Sequence, residues 1–326
     1  DADVISAYPI RPYTGVMNAL AQMIADGEFD AEYIIADSEH TQFEVAKHAS
    51  ACGARVFTGT AGIGWAFAHE SIVVTPTNRV PVVAMLGNRA LDDPGAFGTE
   101  HTEAMITRDI GWMICWPENP QEALDMTLMG YRIAEDPNVL LPIAVCADGN
   151  FVTHVHYPVE IPDKEQVQEF LPPYEPLFRL HPDKPLSIAP QVDHDWGFEI
   201  RKQLDDAMEN AREVIKKAHK DFNRIFGRGG DPFVEEYMTE DAEVALVGIG
   251  ATSMVAKATI RKLRKEGTKI GYVKIKRFRP FPGQELINVL RKFKVVGVID
   301  IDFSFGSPTS GAILYNDIRA ALYDLS

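Results

Sequence analysis

The first half of the chain alternates short apolar runs with helical patterns, and this alternation limits the fold more than any other feature. EYIIAD (32–37), RVFTGT (55–60), VPVVAML (80–86), WMICW (112–116) and LPIAVCAD (141–148) have strand character. Between them, FEVAKHASACGA (43–54) places Phe43, Ala46 and Ser50 at helical spacing and stops at Gly53. NPQEALDMTLMGYRIAED (119–136) begins with Asn119 as N-cap and Pro120 at the first helical position. Strands alternating with helices in this way predict an α/β fold, a parallel sheet covered on both faces. Ligands of such sheets bind beyond the carboxyl ends of the strands.

The pattern then changes. Residues 157–191 are dense in proline and lack periodicity, yet they carry Phe170, Leu171, Tyr174 and Phe178. Those side chains favour burial, so the segment reads as an arm wrapping a neighbour and not as a disordered linker. A long helix follows from about Phe198 to Phe226. Leu204, Met208, Ala211, Ile215, Ala218, Phe222 and Ile225 form its apolar stripe, and GRGGDP ends it. From about Asp241 a second unit is expected. AEVALVGIG, KIGYVKIKRFRPFP and KVVGVIDID are its strands, separated by helices over 251–266 and 283–293. VGIGATS lacks the full G-x-G-x-x-G, so Gly248 and Gly250 are read as a tight strand-to-helix turn.

Composition excludes several classes of function. A formal net charge of -15 argues against non-specific binding of nucleic acid. No apolar run approaches the ~20 residues that span a bilayer. The three cysteines, Cys52, Cys115 and Cys146, are far apart and form no C-x-x-C. A disulfide framework is not expected, nor a cluster held by this chain alone, which would need about four thiolates. All three are expected as small buried apolar side chains in a reducing cytoplasm. The chain starts with DADVISAY, a strand and its exit, without a methionine or a secretory leader, and it stops soon after a helical pattern. A continuation upstream is expected.

Four segments can carry chemistry. SAYPIRPYTG (6–15) holds Arg11 between Pro9 and Pro12, on a turn that the two prolines stiffen. ADSEHTQFE (36–44) puts Glu39 and His40 at a helix start, where the helix dipole and a Ser38 cap already favour an acid. GTAGIG (59–64) supplies glycines at the next strand-to-helix turn, where backbone can approach a flat or anionic ligand closely. NRALDDPGAFG (88–98) leaves a strand into a loop bearing Arg89, Asp92, Asp93 and Phe97.

In order and spacing, AYPIRP, ADSEHTQFEVAKHASACGARVFTGTAGIG, NRAL, LPIAVCADGNFVTH and KRFRPFP resemble the α-type subunit of the thiamine pyrophosphate-dependent 2-oxoacid:ferredoxin oxidoreductases over essentially the whole chain. The resemblance implies a pyrimidine-binding domain over 1–238, including the arm and long helix, and a transketolase C-terminal-like domain over 239–326. It implies that Glu39 contacts N1′ of the aminopyrimidine, with Gly62, Ile63 and Gly64 as further cofactor contacts. A carboxyl there favours the imino tautomer, whose nitrogen can take the thiazolium proton. The pyrophosphate and its Mg²⁺, together with the [4Fe-4S] clusters, are expected on partner subunits. This chain has no Gly-Asp-Gly with a following asparagine at family spacing, ADGN (147–150) being too short. Ferredoxin is the implied acceptor, and a cytoplasmic dimer of heteromers the implied assembly.

One departure matters. The family has threonine at the position of Arg11, and it uses an arginine at Arg89 to bind the substrate carboxylate. Two arginines, with Tyr8 and Phe97 beside them, suit a substrate with a carboxylate at each end. The pattern therefore resembles an oxalate-specific member that releases two CO₂ without coenzyme A. Asp92 or Asp93 would help expel the second CO₂ through a loop movement about Pro94 and Gly95, in exchange for Phe97. The alternatives are oxidation of pyruvate or another 2-oxoacid to an acyl-CoA, and a non-catalytic scaffold.

Overall fold

The computed structural model describes residues 2–92, 94–309 and 311–323. Among the described residues, eleven strands lie at β1 (Val4–Ala7), β2 (Glu32–Ile35), β3 (Val56–Ala61), β4 (Val83–Asn88), β5 (Met113–Cys115), β6 (Ile143–Asp148), β7 (Val234–Tyr237), β8 (Val244–Gly248), β9 (Ile270–Ile275), β10 (Arg277–Arg279) and β11 (Val295–Val298). The α-helices are α1 (Thr14–Ala25), α2 (Glu39–Ala51), α3 (Ile63–Phe67), α4 (His69–Val74), α5 (Thr102–Met105), α6 (Pro120–Ala134), α7 (Lys164–Phe170), α8 (His194–Phe226), α9 (Thr252–Lys265), α10 (Gly283–Leu290) and α11 (Ile313–Ala321).

The mixed α/β architecture agrees with the pattern of the sequence. A seven-stranded sheet runs β10-β5-β6-β4-β3-β1-β2, parallel except for β10, and a four-stranded sheet runs β11-β8-β9-β7, parallel except for β7. Interior strands β4 and β6 are almost wholly buried and read as unbroken apolar runs. Edge strand β2 does not, since its outer face stays uncovered and Ile35 is 66% exposed.

The expected division at 238/239 is crossed twice. β7, before it, pairs antiparallel with β9 of the second sheet. β10, after it, pairs antiparallel with β5 of the first. KIGYVKIKRFRPFP is thus two strands in two sheets, not one strand. The proline-rich arm also holds a helix, α7, started by a capping box between Asp163 and Gln166. Phe170 of α7 packs edge-on against Phe222 of α8, with ring centroids 5.2 Å apart, so the arm is pinned to the long helix. Cys115 and Cys146 are buried, but Cys52, just past the end of α2, is exposed, contrary to expectation. Among the described residues no helix is long and apolar enough to cross a membrane.

Two packing devices place the first strand-to-helix turns. Phe43, Trp65 and Trp112 meet edge-on, with centroids 5.5 Å (Phe43–Trp65) and 5.2 Å (Trp65–Trp112) apart. Each such contact adds about 0.5–1.5 kcal/mol to ordinary burial. Together they tie α2 to α3. Beneath them the Gln42 amide donates to the Ser6 carbonyl at 3.1 Å, the Gly59 carbonyl at 2.6 Å and Thr58 Oγ1 at 2.8 Å. One buried side chain therefore fixes the start of α2 over β1 and β3.

Candidate active site

Glu39 opens α2 directly after the Ser38 cap, whose hydroxyl accepts from the Thr41 amide at 3.2 Å. Its side chain turns inward: Glu39 is only 7% exposed, and no hydrogen bond reaches its carboxyl from the described residues. The carboxyl faces the next turn. A Cβ on Gly64 would lie 2.6 Å from Glu39 Oε1 and 2.5 Å from Thr60 Oγ1, so only glycine leaves this space open. Thr60 Oγ1 is itself buried without a partner. Ile63 projects beside them, with much of its side chain exposed. A shielded carboxyl, an unpartnered hydroxyl and a bare backbone position thus meet at one spot, with the exposed Ile63 next to them in the chain. That set suits a flat, partly polar heteroaromatic ring such as an aminopyrimidine.

Gly62 links this space to the arginine loop. Its φ of +48° favours glycine, and a Cβ there would stand 3.0 Å from Arg89 Cζ. Arg89 leaves the end of β4 and is buried. Its Nε donates to the Arg11 carbonyl at 3.0 Å, its Nη1 lies 3.3 Å from Asp92 Oδ2, and its Cζ sits 5.6 Å from the Phe97 ring centroid. The Arg11 turn can come this close because Pro12 packs on Gly87, where a Cβ would be 2.4 Å from Pro12 Cγ.

The structure thus joins Glu39, Gly62, Ile63, Gly64, Arg89, Asp92 and Phe97 in one region at the strand ends. Arg11 meets Arg89 through its carbonyl. Its guanidinium is exposed and makes no ion pair among the described residues. Tyr8 is half-buried just past β1. Asp93 lies outside the described residues. Among the described residues no group of three or more His, Cys, Asp or Glu side chains could hold a metal ion.

Three buried residues were not anticipated. Glu103 Oε1 accepts from the Arg89 amide at 2.9 Å and from Asn88 Nδ2 at 3.0 Å. His101 Nε2 lies 2.7 Å from Asp148 Oδ1. The other Asp148 oxygen takes the Ala251 amide at 2.6 Å, and the His101 amide donates to the Ile301 carbonyl at 3.0 Å. Asp148 of ADGN therefore ties the first sheet to the turn before α9. In the sequence, EHTE (100–103) looks like a polar turn, and only its burial reveals its role.

Comparison with known proteins gives the family. Residues 1–220 match the family model described as pyruvate flavodoxin/ferredoxin oxidoreductase, thiamine diP-bdg, and residues 242–326 match pyruvate:ferredoxin oxidoreductase core domain II. The pyruvate synthase subunit PorA of Methanothermobacter thermautotrophicus is 40% identical over 98% of this chain and 83% of its own length. The ketoisovalerate oxidoreductase subunit VorA of Pyrococcus horikoshii is 37% identical over 98% of this chain and 80% of its own. In fold, the chain is like the 2-oxoglutarate:ferredoxin oxidoreductase of Magnetococcus marinus, with TM-score 0.72 at 17% identity. That likeness covers 98% of this chain but only 57% of the other. A split gene transketolase gives TM-score 0.53 at 12% identity, covering 98% of this chain and 78% of that one. The chain belongs to the 2-oxoacid:ferredoxin oxidoreductase family, as an α-type subunit with its thiamine diphosphate-binding domain.

Proposed function

We propose that this chain supplies the pyrimidine side of a thiamine pyrophosphate site, and that the assembled enzyme oxidises a 2-oxoacid to an acyl-CoA and CO₂. The two electrons would pass to ferredoxin through iron–sulfur clusters on partner subunits. The single observation that carries the reading is the shielded Glu39 carboxyl facing the Gly62–Gly64 turn. Bound thiamine pyrophosphate supplies an electron sink for decarboxylation. Glu39 would hold N1′ of its aminopyrimidine and share a proton there. Gly64 and Thr60 would receive the ring edge, and Ile63 would cover its face. Arg89 would bind the substrate carboxylate, with its plane held by Phe97 and its Nε by the Arg11 carbonyl. The pyrophosphate, its Mg²⁺ and the clusters would be bound by other subunits in a dimer of heteromers, so this chain alone should show no turnover.

Pyruvate is the first substrate to test, because the relatives include pyruvate synthase subunits at 40% identity, and a branched 2-oxoacid is the second. One observation favours a different reading. The Arg11 guanidinium is exposed on the turn whose carbonyl holds Arg89, so a second cation is available to a substrate with two carboxylates. On that reading oxalate loses two electrons to give two CO₂, with no acyl group and no need for coenzyme A. The test is viologen reduction by the purified complex. Pyruvate, a branched 2-oxoacid or 2-oxoglutarate would each be supplied with coenzyme A, and oxalate without it. Coenzyme A-dependent reduction with a 2-oxoacid supports the main reading. Reduction with oxalate alone supports the second, and reduction with none of these removes both.

A further inference from the structure

Glu103 is fully buried on α5, below the point where Arg89 leaves β4. Its Oε1 accepts two hydrogen bonds, from the Arg89 amide and from Asn88 Nδ2. The Trp116 indole N–H donates to Asn88 Oδ1 at 3.0 Å, which fixes the Asn88 amide so that its NH₂ faces Glu103. Trp116 in turn packs at a tilt against His101, with centroids 5.1 Å apart. Glu103 Oε2 is buried and has no partner. The carboxyl therefore makes its hydrogen bonds through one oxygen, and both come from groups that position Arg89.

We propose that Glu103 is a positioning residue for Arg89, holding the backbone from which the guanidinium reaches the substrate carboxylate. The inference rests on reading Arg89 as the carboxylate-binding arginine. Glu103 works as the neutral acid. A carboxylate would spread charge onto Oε2, where no donor or cation meets it, whereas the acid keeps Oε1 as acceptor and carries its proton on Oε2. Burial pushes its pKa up to about 8, and Glu100 nearby adds to the rise. Other titratable and charged groups nearby are His101 from its own segment, Arg89 from the loop after β4 and Cys146 from β6, with Asp148 beyond His101 and with Asp300 and Asp302 flanking Ile301, whose carbonyl takes the His101 amide. The Arg89 guanidinium faces Arg11, Asp92 and Phe97 instead of Glu103 Oε2. Ionisation of Glu103 would then place a negative charge under the anion site. Anion binding should weaken as pH rises through about 8. Asp300 is also raised to about 8, so the wild-type curve alone does not identify the group.

The test is calorimetric binding of oxamate, an unreactive amide with the shape of a 2-oxoacid, to the assembled complex between about pH 7 and about pH 9.5. Wild-type affinity should fall across that range. Glu103→Gln, which keeps one acceptor and places an NH₂ where the acid carries its OH, should bind as wild type at neutral pH and lose the pH dependence. Glu103→Leu leaves the Arg89 amide and Asn88 without their acceptor and should bind about ten- to a hundredfold more weakly. A Leu variant that assembles and binds as wild type, while Arg89→Ala does not bind, overturns the positioning role alone. A Gln variant with the wild-type pH curve overturns the neutral-acid assignment, and this comparison stands even if the Leu variant does not assemble. Wild-type binding by Arg89→Ala removes the reading of Arg89 itself, and this inference with it.

Discussion

Arg89 donates its Nε–H to the backbone carbonyl of Arg11 at 3.0 Å, so two arginines 78 residues apart meet through one side chain and one main chain. The contact holds the Arg89 guanidinium across Gly62 and leaves the Arg11 guanidinium outside, at the rim. Arg89 is thus built into the site whatever the substrate. Arg11 keeps its guanidinium free of ion pairs among the described residues.

Arg11→Thr separates the two substrate readings. The change keeps the backbone and its carbonyl, so Arg89 should stay in place. If the substrate has one carboxylate, kcat and KM for pyruvate should change little. If it has two, loss of a charge-assisted contact of ~1.5–3 kcal/mol should weaken oxalate turnover roughly ten- to a hundredfold. Steady-state dye reduction with each substrate measures both. Unchanged oxalate kinetics would leave Arg11 as a surface arginine.

Glu39→Gln should abolish cofactor activation while the complex assembles. The amide is nearly isosteric and can still meet a ring nitrogen, but it cannot take and return a proton. Loss of general acid–base help of this kind costs about 10²–10⁴ in rate. Proton exchange at C2 of the bound cofactor, followed by NMR after acid quench, reads the step directly. Wild-type exchange in the variant would remove Glu39 from the role.

Much of this fold was legible because the signals are local. Ser38 and Asn119 are N-caps in the sequence and in the structure, where each side chain accepts the expected amide. Buried strands β4 and β6 cannot hide their apolar runs. Glu39, Gly62 and Gly64 stand at successive strand-to-helix turns, so a parallel sheet puts them at the same end, although β1 lies between their strands. The missed features are long-range. β10 leaves the second sheet for the first because Arg277–Arg279 finds an edge at β5, about 160 residues earlier, and pairing at that separation has no local signature. Glu103 and Asp148 are acids whose buried oxygens only tertiary contacts can satisfy, and a single chain of letters does not show which acids are buried. Only α7 had a readable signal: Asp163 followed by Gln166 is a capping box within the proline-rich segment.

Acid stability should depend on His219. This residue of α8 is buried against Arg277, whose Nη2 lies 3.1 Å from His219 Nε2, and burial followed by the charges of Arg277 and Lys276 pushes its pKa down to about 2. The neutral ring is the folded form. Below its ordinary value of 6.5, the unfolded chain takes up a proton that the folded chain refuses, so the unfolded state gains as pH falls. The stability tied to this ring is complete above about pH 6.5 and is lost progressively down to about pH 2, at up to about 1.4 kcal/mol per pH unit. His219→Gln keeps an acceptor for Arg277 but does not titrate. Its melting temperature should fall less steeply than the wild type's between about pH 6.5 and about pH 5. Parallel slopes for the two proteins would show that other groups set the acid limb.

If Arg89 binds the substrate carboxylate, Asp92 is the group with which an incoming substrate would compete. Its Oδ2 lies 3.3 Å from Arg89 Nη1, on the same guanidinium that would bind the substrate carboxylate. The Asp92 side chain is 31% exposed, so solvent screens the pair and its strength is modest, about 0.2–1 kcal/mol. A carboxylate substrate can therefore displace it at small cost. The displaced acid stays on the same loop as Phe97, close to the reacting end of the bound molecule. Asp92→Asn removes the charge and nearly keeps the shape. We expect KM for the substrate carboxylate to fall, by about two- to fivefold at most. If the substrate is oxalate, a second effect follows. Once the first CO₂ has left, one carboxylate remains on Arg89, and an aspartate moved toward it would repel it and favour its departure as neutral CO₂. Without that charge the second CO₂ should leave more slowly than the first, and rapid-quench counting of CO₂ in a single turnover should show two phases where the wild type shows one. Unchanged KM in the variant would mean that Asp92 does not guard Arg89. A single phase with oxalate would mean that the loop takes no part in the second decarboxylation.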